Sequence, residues 1–238
     1  MNKTINIAIV GLGQIGIYLY KELELAIKKY GNHPSFSIHS YGNEPDGPGQ
    51  DEVLSTWVAK GKKLDEGRRF YVSAIGWGIT ENSDFHDIMD GMRVFPWGIG
   101  LNASINKEQP SFNSDFNHKT KTDPKRAFVA HETGQWCVYP DFSEMAKYTG
   151  FSQPKNYEIF QQNLKDNHMG HLAHDFLMAS GRLQTICYKY ELEKLLRTKG
   201  ASGYQLLGLN DFPGQGTALV GAVNVFWEAK PYTSCSRV

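Results

Sequence analysis

Two glutamates stand where β-strand patterns end, and their side chains could do chemistry. Glu44 comes after the run FSIHSY and the dipeptide Gly42-Asn43, and Glu132 comes after AFVAH. A carboxylate in the first position could be a turn residue, a ribose ligand or a catalytic acid. Two carboxylates about 5 Å apart can cleave a glycosidic bond, one by protonating the leaving oxygen and the other by attacking the anomeric carbon.

A glycine pattern near the amino terminus offers a different chemistry. The string GLGQIG places Gly11, Gly13 and Gly16 after an apolar run and before a helical pattern, where backbone N–H groups can hold a pyrophosphate. Residues 1–23 resemble the opening of homoserine dehydrogenases and related Rossmann enzymes, and Glu44 would then be the ribose ligand. The regular strand–helix alternation of a second Rossmann half does not follow, so a simple strand–turn–helix that packs is the other interpretation.

Three longer segments resemble the catalytic domain of glycoside hydrolase family 2. The segment YGNHPSFSIHSYGNEPDG is similar to the fourth-strand region of that family, and VAHETGQWCVYPDF is similar to the seventh-strand region of a bacterial branch. The segment GYQLLGLNDFPGQGTALVGAVNVFWEAK resembles the eighth strand, its loop and the following helix. The resemblance covers about residues 26–230, in order and with several separate motifs.

The resemblance implies roles for individual residues. Glu44 would be the general acid/base, Glu132 the nucleophile, and Asn43 a contact of the sugar 2-hydroxyl. We expect further substrate-binding side chains along the same segments at His131, Gln135, Trp136 and Asp211. Trp77, in the string IGWG after another strand pattern, is a further candidate that the resemblance does not supply. Trp77 could stack on a pyranose face or belong to the core. Neither a metal nor an organic cofactor is implied.

Strand and helix patterns alternate along the chain, which predicts an α/β fold with a parallel sheet. The strand predictions cover residues 5–10, 36–41, 70–75, 127–131 and 203–209, with a weaker one at 95–98, and the helix predictions cover 14–30, 51–65, 155–167, 171–198 and 217–229. With the resemblance, this implies a partial or rebuilt (β/α)8 barrel of the TIM type, from strand four onward. Residues 1–24 would be a foreign β-α unit in place of the early strands, and 25–238 the barrel portion of one compact domain.

Composition limits the partners. The 238 residues carry 25 basic and 25 acidic side chains, so nucleic acid and anionic membranes are not expected to bind. No apolar stretch is long enough to span a bilayer, and no convincing signal peptide begins the chain, so we expect a cytoplasmic protein. The resemblance implies the alternative, since members of that family are often periplasmic or secreted. Open sheet edges would favour a homo-oligomer.

The function expected from these observations is retaining hydrolysis of a β-linked glycoside, of the β-galactosidase, β-mannosidase or β-glucuronidase kind. Two alternatives remain open: an NAD(P)-binding oxidoreductase fragment that uses Gly11, Gly13 and Gly16, and a catalytically inactive carbohydrate-binding remnant.

Overall fold

The structure is a computed structural model, and it describes residues 25–88, 107, 109, 111–117, 126–212 and 218–233. The predicted Rossmann-like segment 1–24, with its glycine motif, lies outside the described residues, as does the weak strand prediction at 95–98. The described residues form two compact units. Unit one comprises 25–88, 126–131 and 200–203, and unit two comprises 107, 109, 111–117, 132–199, 204–212 and 218–233.

Unit one contains a β-α-β arrangement. Strand β1 (Ile38–Ser40) pairs in parallel with strand β2 (Phe70–Val72), and helix α1 (Gln50–Leu64) connects them. The buried positions of α1 are Leu54, Trp57, Val58 and Gly61, at the three- and four-residue spacing that lines one helix face. Acidic residues in its first turn and lysines in its last complement the helix dipole.

The core of unit one lies between α1 and the β1–β2 pair. Its buried cluster consists of Ile27, Tyr41, Leu54, Trp57, Val58, Tyr71 and Ala74. Gly61 is required there, because a Cβ at this position would lie 1.9 Å from the hydroxyl oxygen of Tyr41. Directly before β2, buried Arg69 pairs with Asp65 at the carboxyl end of α1 and donates hydrogen bonds to the carbonyls of Gly31 and Phe36. These contacts fasten the loop before β1 to the end of the helix.

A second sheet contains three strands in the order β3-β4-β5: β3 (His86–Ile88), β4 (Phe128–Thr133) and β5 (Ala201–Leu206). Strands β3 and β4 are parallel, with His86 opposite Phe128. The boundary between the two units falls within β4, at the peptide bond that joins His131 to Glu132.

Unit two is mainly helical. Its helices are a 3₁₀ helix at Phe142–Lys147, helix α2 (Lys155–Asp166), a 3₁₀ turn at Gly170–Leu172 and helix α3 (Ala173–Leu196). The buried cluster of this unit consists of Val138, Tyr157, Leu177, Leu219 and Tyr232. The aromatic ring of Tyr232 lies against Gly181 of α3, where a Cβ would be 2.1 Å from the ring.

The predicted partial (β/α)8 barrel is wrong. A barrel needs a continuous ring of strands in which each strand pairs with the next. Within the described ranges there are five strands of three to six residues, and they form two small sheets. Five short strands in two sheets do not form such a ring.

Most local predictions on described residues agree with the structure within a few residues, with two exceptions. The predicted helix over 217–229 is wrong, because the described residues 218–233 form turns and isolated bridges instead. Strand β3 was not predicted. None of the described helices is both long enough and apolar enough to cross a bilayer.

Candidate active site

Parallel pairing in unit one holds Glu44 beyond the end of β1. Asn43 forms a parallel bridge with Ile75, the backbone N–H of Glu44 donates to the carbonyl of Ile75 at 2.9 Å, and Ile75 N–H donates to the carbonyl of Gly42 at 3.0 Å. The ladder between β1 and β2 therefore resumes at these residues. Glu44 lies at the carboxyl end of its strand, the edge at which α/β sheets bind ligands.

The backbone at Glu44 has the left-handed conformation, with φ of 46°. Gly76 lies beside it, with φ of 85°. A Cβ on Gly76 would be 3.0 Å from Cγ of Glu44 and 3.2 Å from Cδ2 of His131. Glycine is required at position 76 both for its backbone angle and for this close approach.

His131 is the neighbour of the Glu44 carboxylate. Its Nε2 lies 3.4 Å from Oε1 of Glu44, and the side chain of His131 is 3% exposed against 27% for Glu44. A protonated imidazole at this distance stabilises an ionised carboxylate by charge attraction. His131, predicted to line the substrate pocket, is thus placed to act on Glu44.

Asn43 and Trp77, two predicted substrate contacts, flank Glu44 and Gly76 in the sequence and are solvent-exposed. The Trp77 side chain is 46% exposed, and its Nε1–H donates to the carbonyl of Pro45 at 2.8 Å. This hydrogen bond fixes one edge of the indole while its ring remains accessible. Trp77 therefore belongs to the exposed surface and not to the core.

In unit two, Glu132 lies near the end of β4 and also has a left-handed backbone, with φ of 48°. The Gln135 side-chain amide donates to its Oε2 at 2.9 Å. Gly134, with φ of 82°, donates its N–H to Oε1 of buried Glu191 at 2.9 Å, and its carbonyl accepts from the hydroxyl of Tyr188 at 2.8 Å. The turn that carries Glu132 and Gln135 is therefore anchored to helix α3.

The two other predicted contacts of unit two differ in exposure. Trp136 is half-buried, and its carbonyl accepts a hydrogen bond from Gln184 of α3 at 2.6 Å. Asp211 is 2% exposed; its Oδ1 accepts from Lys230 Nζ at 2.7 Å and from the N–H of Gly221 at 2.8 Å. The carboxylate of Asp211 is therefore occupied by interior contacts.

Burial acts on both members of this ion pair. It raises the pKa of Asp211 although Lys230 and Gly221 pull it down, and it lowers the pKa of Lys230 although Asp211 pulls it up. Each group thus loses more from leaving water than it regains from its partner.

The structure groups the predicted residues within each unit. Unit one contains Asn43, Glu44, Trp77 and His131, and unit two contains Glu132, Gln135, Trp136 and Asp211. Sequence reasoning missed Gly76 and Gly134, which shape the two turns, and Glu191 and Tyr188, which anchor the second. Gly76 could have been found in the sequence, because it is a glycine directly after a strand pattern, in the string AIGWG.

In comparisons with known proteins, no protein-family model and no curated protein matched the chain.

Proposed function

We propose that this protein hydrolyses β-linked glycosides with retention of configuration at the anomeric carbon. Glu132 is the nucleophile and Glu44 the general acid/base. The observation that carries the proposal is the backbone conformation of these two residues, each held in the left-handed region near the carboxyl end of a strand that pairs in parallel.

A left-handed backbone is costly for a residue with a side chain, by about 1–2 kcal/mol. Five non-glycine residues of the described ranges have it, and Glu44 and Glu132 are two of them. Such strain clusters at sites where a side chain must be aimed in a particular direction. The two residues that the sequence marks for acid–base and nucleophilic chemistry therefore share a conformation that favours a functional role.

In the proposed reaction, Glu44 in its protonated form donates its proton to the glycosidic oxygen while Glu132 attacks the anomeric carbon. The aglycone leaves as an alcohol, and the sugar becomes an ester of Glu132. Glu44, now ionised and near His131, takes a proton from water, whose oxygen attacks the ester and releases the sugar and the Glu132 carboxylate. No cofactor takes part.

Other residues bind and orient the substrate in this proposal. Trp77 offers an exposed ring to a pyranose face, and Asn43 contacts the 2-hydroxyl. The hydrogen bond from Gln135 orients the carboxylate of Glu132 before the attack.

The test is hydrolysis of a panel of nitrophenyl β-glycosides: galactoside, glucoside, mannoside and glucuronide. We expect Glu132→Gln to reduce turnover to background and Glu44→Gln to reduce it by about 100-fold or more. The matched control is Glu66→Gln, because Glu66 is also left-handed, with φ of 54°, but is exposed after the end of α1. Equal activity of Glu132→Gln and the wild type would refute the assignment.

Azide separates the two roles. In Glu44→Gln the nitrophenolate still leaves, because it needs no acid assistance, so hydrolysis of the Glu132 ester becomes the slow step. Azide attacks this ester without the help of a base, so it should restore turnover and yield a β-glycosyl azide. In Glu132→Gln azide should restore no β-configured product, since the nucleophile itself is absent.

An inactive carbohydrate-binding protein is the second candidate, and the exposure of Trp77 favours it. Binding of a sugar to a wild type that hydrolyses no member of the panel, lost in Trp77→Ala, would support this candidate. The matched control is Trp227→Ala, because Trp227 is 66% exposed.

A further inference from the structure

A depression of about 450 Å³ lies on unit one. It is lined by Ala26, Tyr30, His33, Ser35, Phe36 and His39. Its volume is within the range of small-molecule sites. Neither Glu44 nor Glu132 lines it, so it is a separate feature from the candidate catalytic residues.

Interior contacts hold the loop that forms one side of the depression, next to the helical residues Ala26 and Tyr30. The guanidinium of Arg69 lies 4.7 Å from the ring centroid of Phe36, and Arg69 also binds the carbonyls of Gly31 and Phe36. Its charge is matched by buried Asp65. The loop is thus fixed before a ligand arrives, which lowers the entropic cost of binding.

Aromatic and imidazole rings form much of the lining. The ring of His39 packs edge-on against Phe36, with centroids 5.8 Å apart, and against Tyr41, at 4.7 Å. Burial is the larger of the two causes that lower the pKa of His39, and the charge of Arg69 adds to it, which favours the neutral imidazole. None of the six lining side chains is a carboxylate, an ammonium or a guanidinium. The nearby cations Arg69 and Lys29 lie over the rings of Phe36 and Tyr30, and the lining itself offers no charged group, so we infer an uncharged ligand.

Hydrogen-bonding groups lie on the exposed side chains of the lining. Tyr30 is 49% exposed, and His33 and Ser35 are exposed as well. Because the depression is open, ligand hydroxyl groups that find no protein partner can keep their water, so they carry no desolvation cost.

We propose that this depression is a binding site for a neutral pyranose sugar. A pyranose has an apolar face of C–H groups, which matches the rings of Tyr30 and Phe36, and a rim of hydroxyl groups, which matches Tyr30, His33 and Ser35. The site does not depend on the proposed hydrolysis, because it contains neither catalytic glutamate.

The experiment measures binding of methyl 1-thio-β-D-galactopyranoside and its gluco and manno counterparts to the full chain, by saturation-transfer NMR and titration. Thioglycosides resist hydrolysis, so they report binding alone. We expect Tyr30→Ala to weaken binding about fivefold, the effect of losing about 40 Å² of apolar contact. Tyr204→Ala is the matched control, since Tyr204 is 42% exposed and lies in unit two.

A second variant, His33→Ala, removes a rim hydrogen-bonding group from an exposed position and should weaken binding without changing the circular dichroism spectrum. Unchanged sugar affinity in both Tyr30→Ala and His33→Ala would overturn the proposal, because the sugars would then bind elsewhere. The proposal would also be overturned if none of the three thioglycosides bound the folded wild type. If phenol bound and the thioglycosides did not, the site would be assigned to aromatic ligands instead. Inactivity towards nitrophenyl glycosides would count against the proposed hydrolysis only.

Discussion

Replacement of Lys230 by methionine should destabilise the protein strongly, because it removes the partner of a buried carboxylate. The Nζ of Lys230 lies 2.7 Å from Oδ1 of Asp211, and the two side chains are 4% and 3% exposed. Methionine has a similar length and is uncharged, so packing is largely kept while the ion pair is lost.

The magnitude follows from what remains around Asp211. One hydrogen bond stays, from the N–H of Gly221 at 2.8 Å, but no counter-charge replaces Lys230. Removal of one partner from a buried pair costs about 3–5 kcal/mol. The surface pair Lys155–Glu158 has the same 2.7 Å separation with side chains 71% and 41% exposed, so Lys155→Met should cost at most about 1 kcal/mol.

The assay is urea unfolding of the wild type, Lys230→Met, Lys155→Met and the double variant Lys230→Met with Asp211→Asn. The double variant should recover much of the loss, because no charge then remains buried. Lys230 lowers the pKa of Asp211 in the wild type, so its removal should raise that pKa further. The loss in Lys230→Met should therefore grow as the pH rises towards this higher pKa, because the buried carboxyl group then gives up its proton without a counter-charge. A loss no larger than that of Lys155→Met would refute the reasoning.

Three further predictions concern other residues. Glu144 is buried, and burial raises its pKa above 4.5, so the folded state binds this proton more tightly than the unfolded chain does. The urea concentration at the unfolding midpoint should therefore fall as the pH rises from about 4.5, and it should fall less in Glu144→Gln. Gly76→Ala should abolish the proposed hydrolysis by displacing Glu44, whereas Gly67→Ala, at a similar φ of 72° with open space around it, should only destabilise by about 1 kcal/mol. Phe70, 62% exposed on β2, should promote self-association at high concentration, which Phe70→Lys should reduce in sedimentation experiments.

Each of these predictions has an outcome that contradicts it. An identical pH dependence in Glu144→Gln would mean that this carboxyl group takes up no extra proton on folding. Equal activity of the two glycine variants would show that contact with Glu44 does not matter. A wild type that remains monomeric over the whole concentration range would remove the reason for the Phe70 substitution.

The helices could be predicted because their signals are local. Helix α1 was expected at 51–65 and lies at Gln50–Leu64, since Leu54, Trp57, Val58 and Gly61 repeat at helical spacing. The strand β3 was missed because its three residues, His-Asp-Ile, are too short to show alternation.

The predicted helix over 217–229 failed for a tertiary reason. Its apolar residues suggested a helix, but Val223 instead bridges to Asn210 and to Ala229. Gly221 passes so close to Asn210 that a Cβ there would lie 2.4 Å from the carbonyl carbon. These contacts join residues between 6 and 13 positions apart, and helical periodicity does not report them.

The sequence indicated the residues of the candidate site but not the side chains that contact them. Glu44, Asn43 and Glu132 were identified by their positions after strand patterns. The contact between Glu44 and His131 joins residues 87 positions apart in number. Asp211 pairs with Lys230, which ends the segment that resembles the eighth strand but was given no role there. The barrel prediction failed because resemblance between segments says little about how many strands the rest of the chain supplies.

The left-handed backbone at Glu44, Glu66 and Glu132 has a consequence for natural variation. Glycine at any of the three positions would relax the same kind of strain, so folding stability alone favours drift towards glycine or asparagine at each. Position 66, at which no catalytic role is proposed, therefore provides an internal reference for the rate of that drift. If the carboxylates at 44 and 132 are in use, related sequences should keep them while position 66 changes.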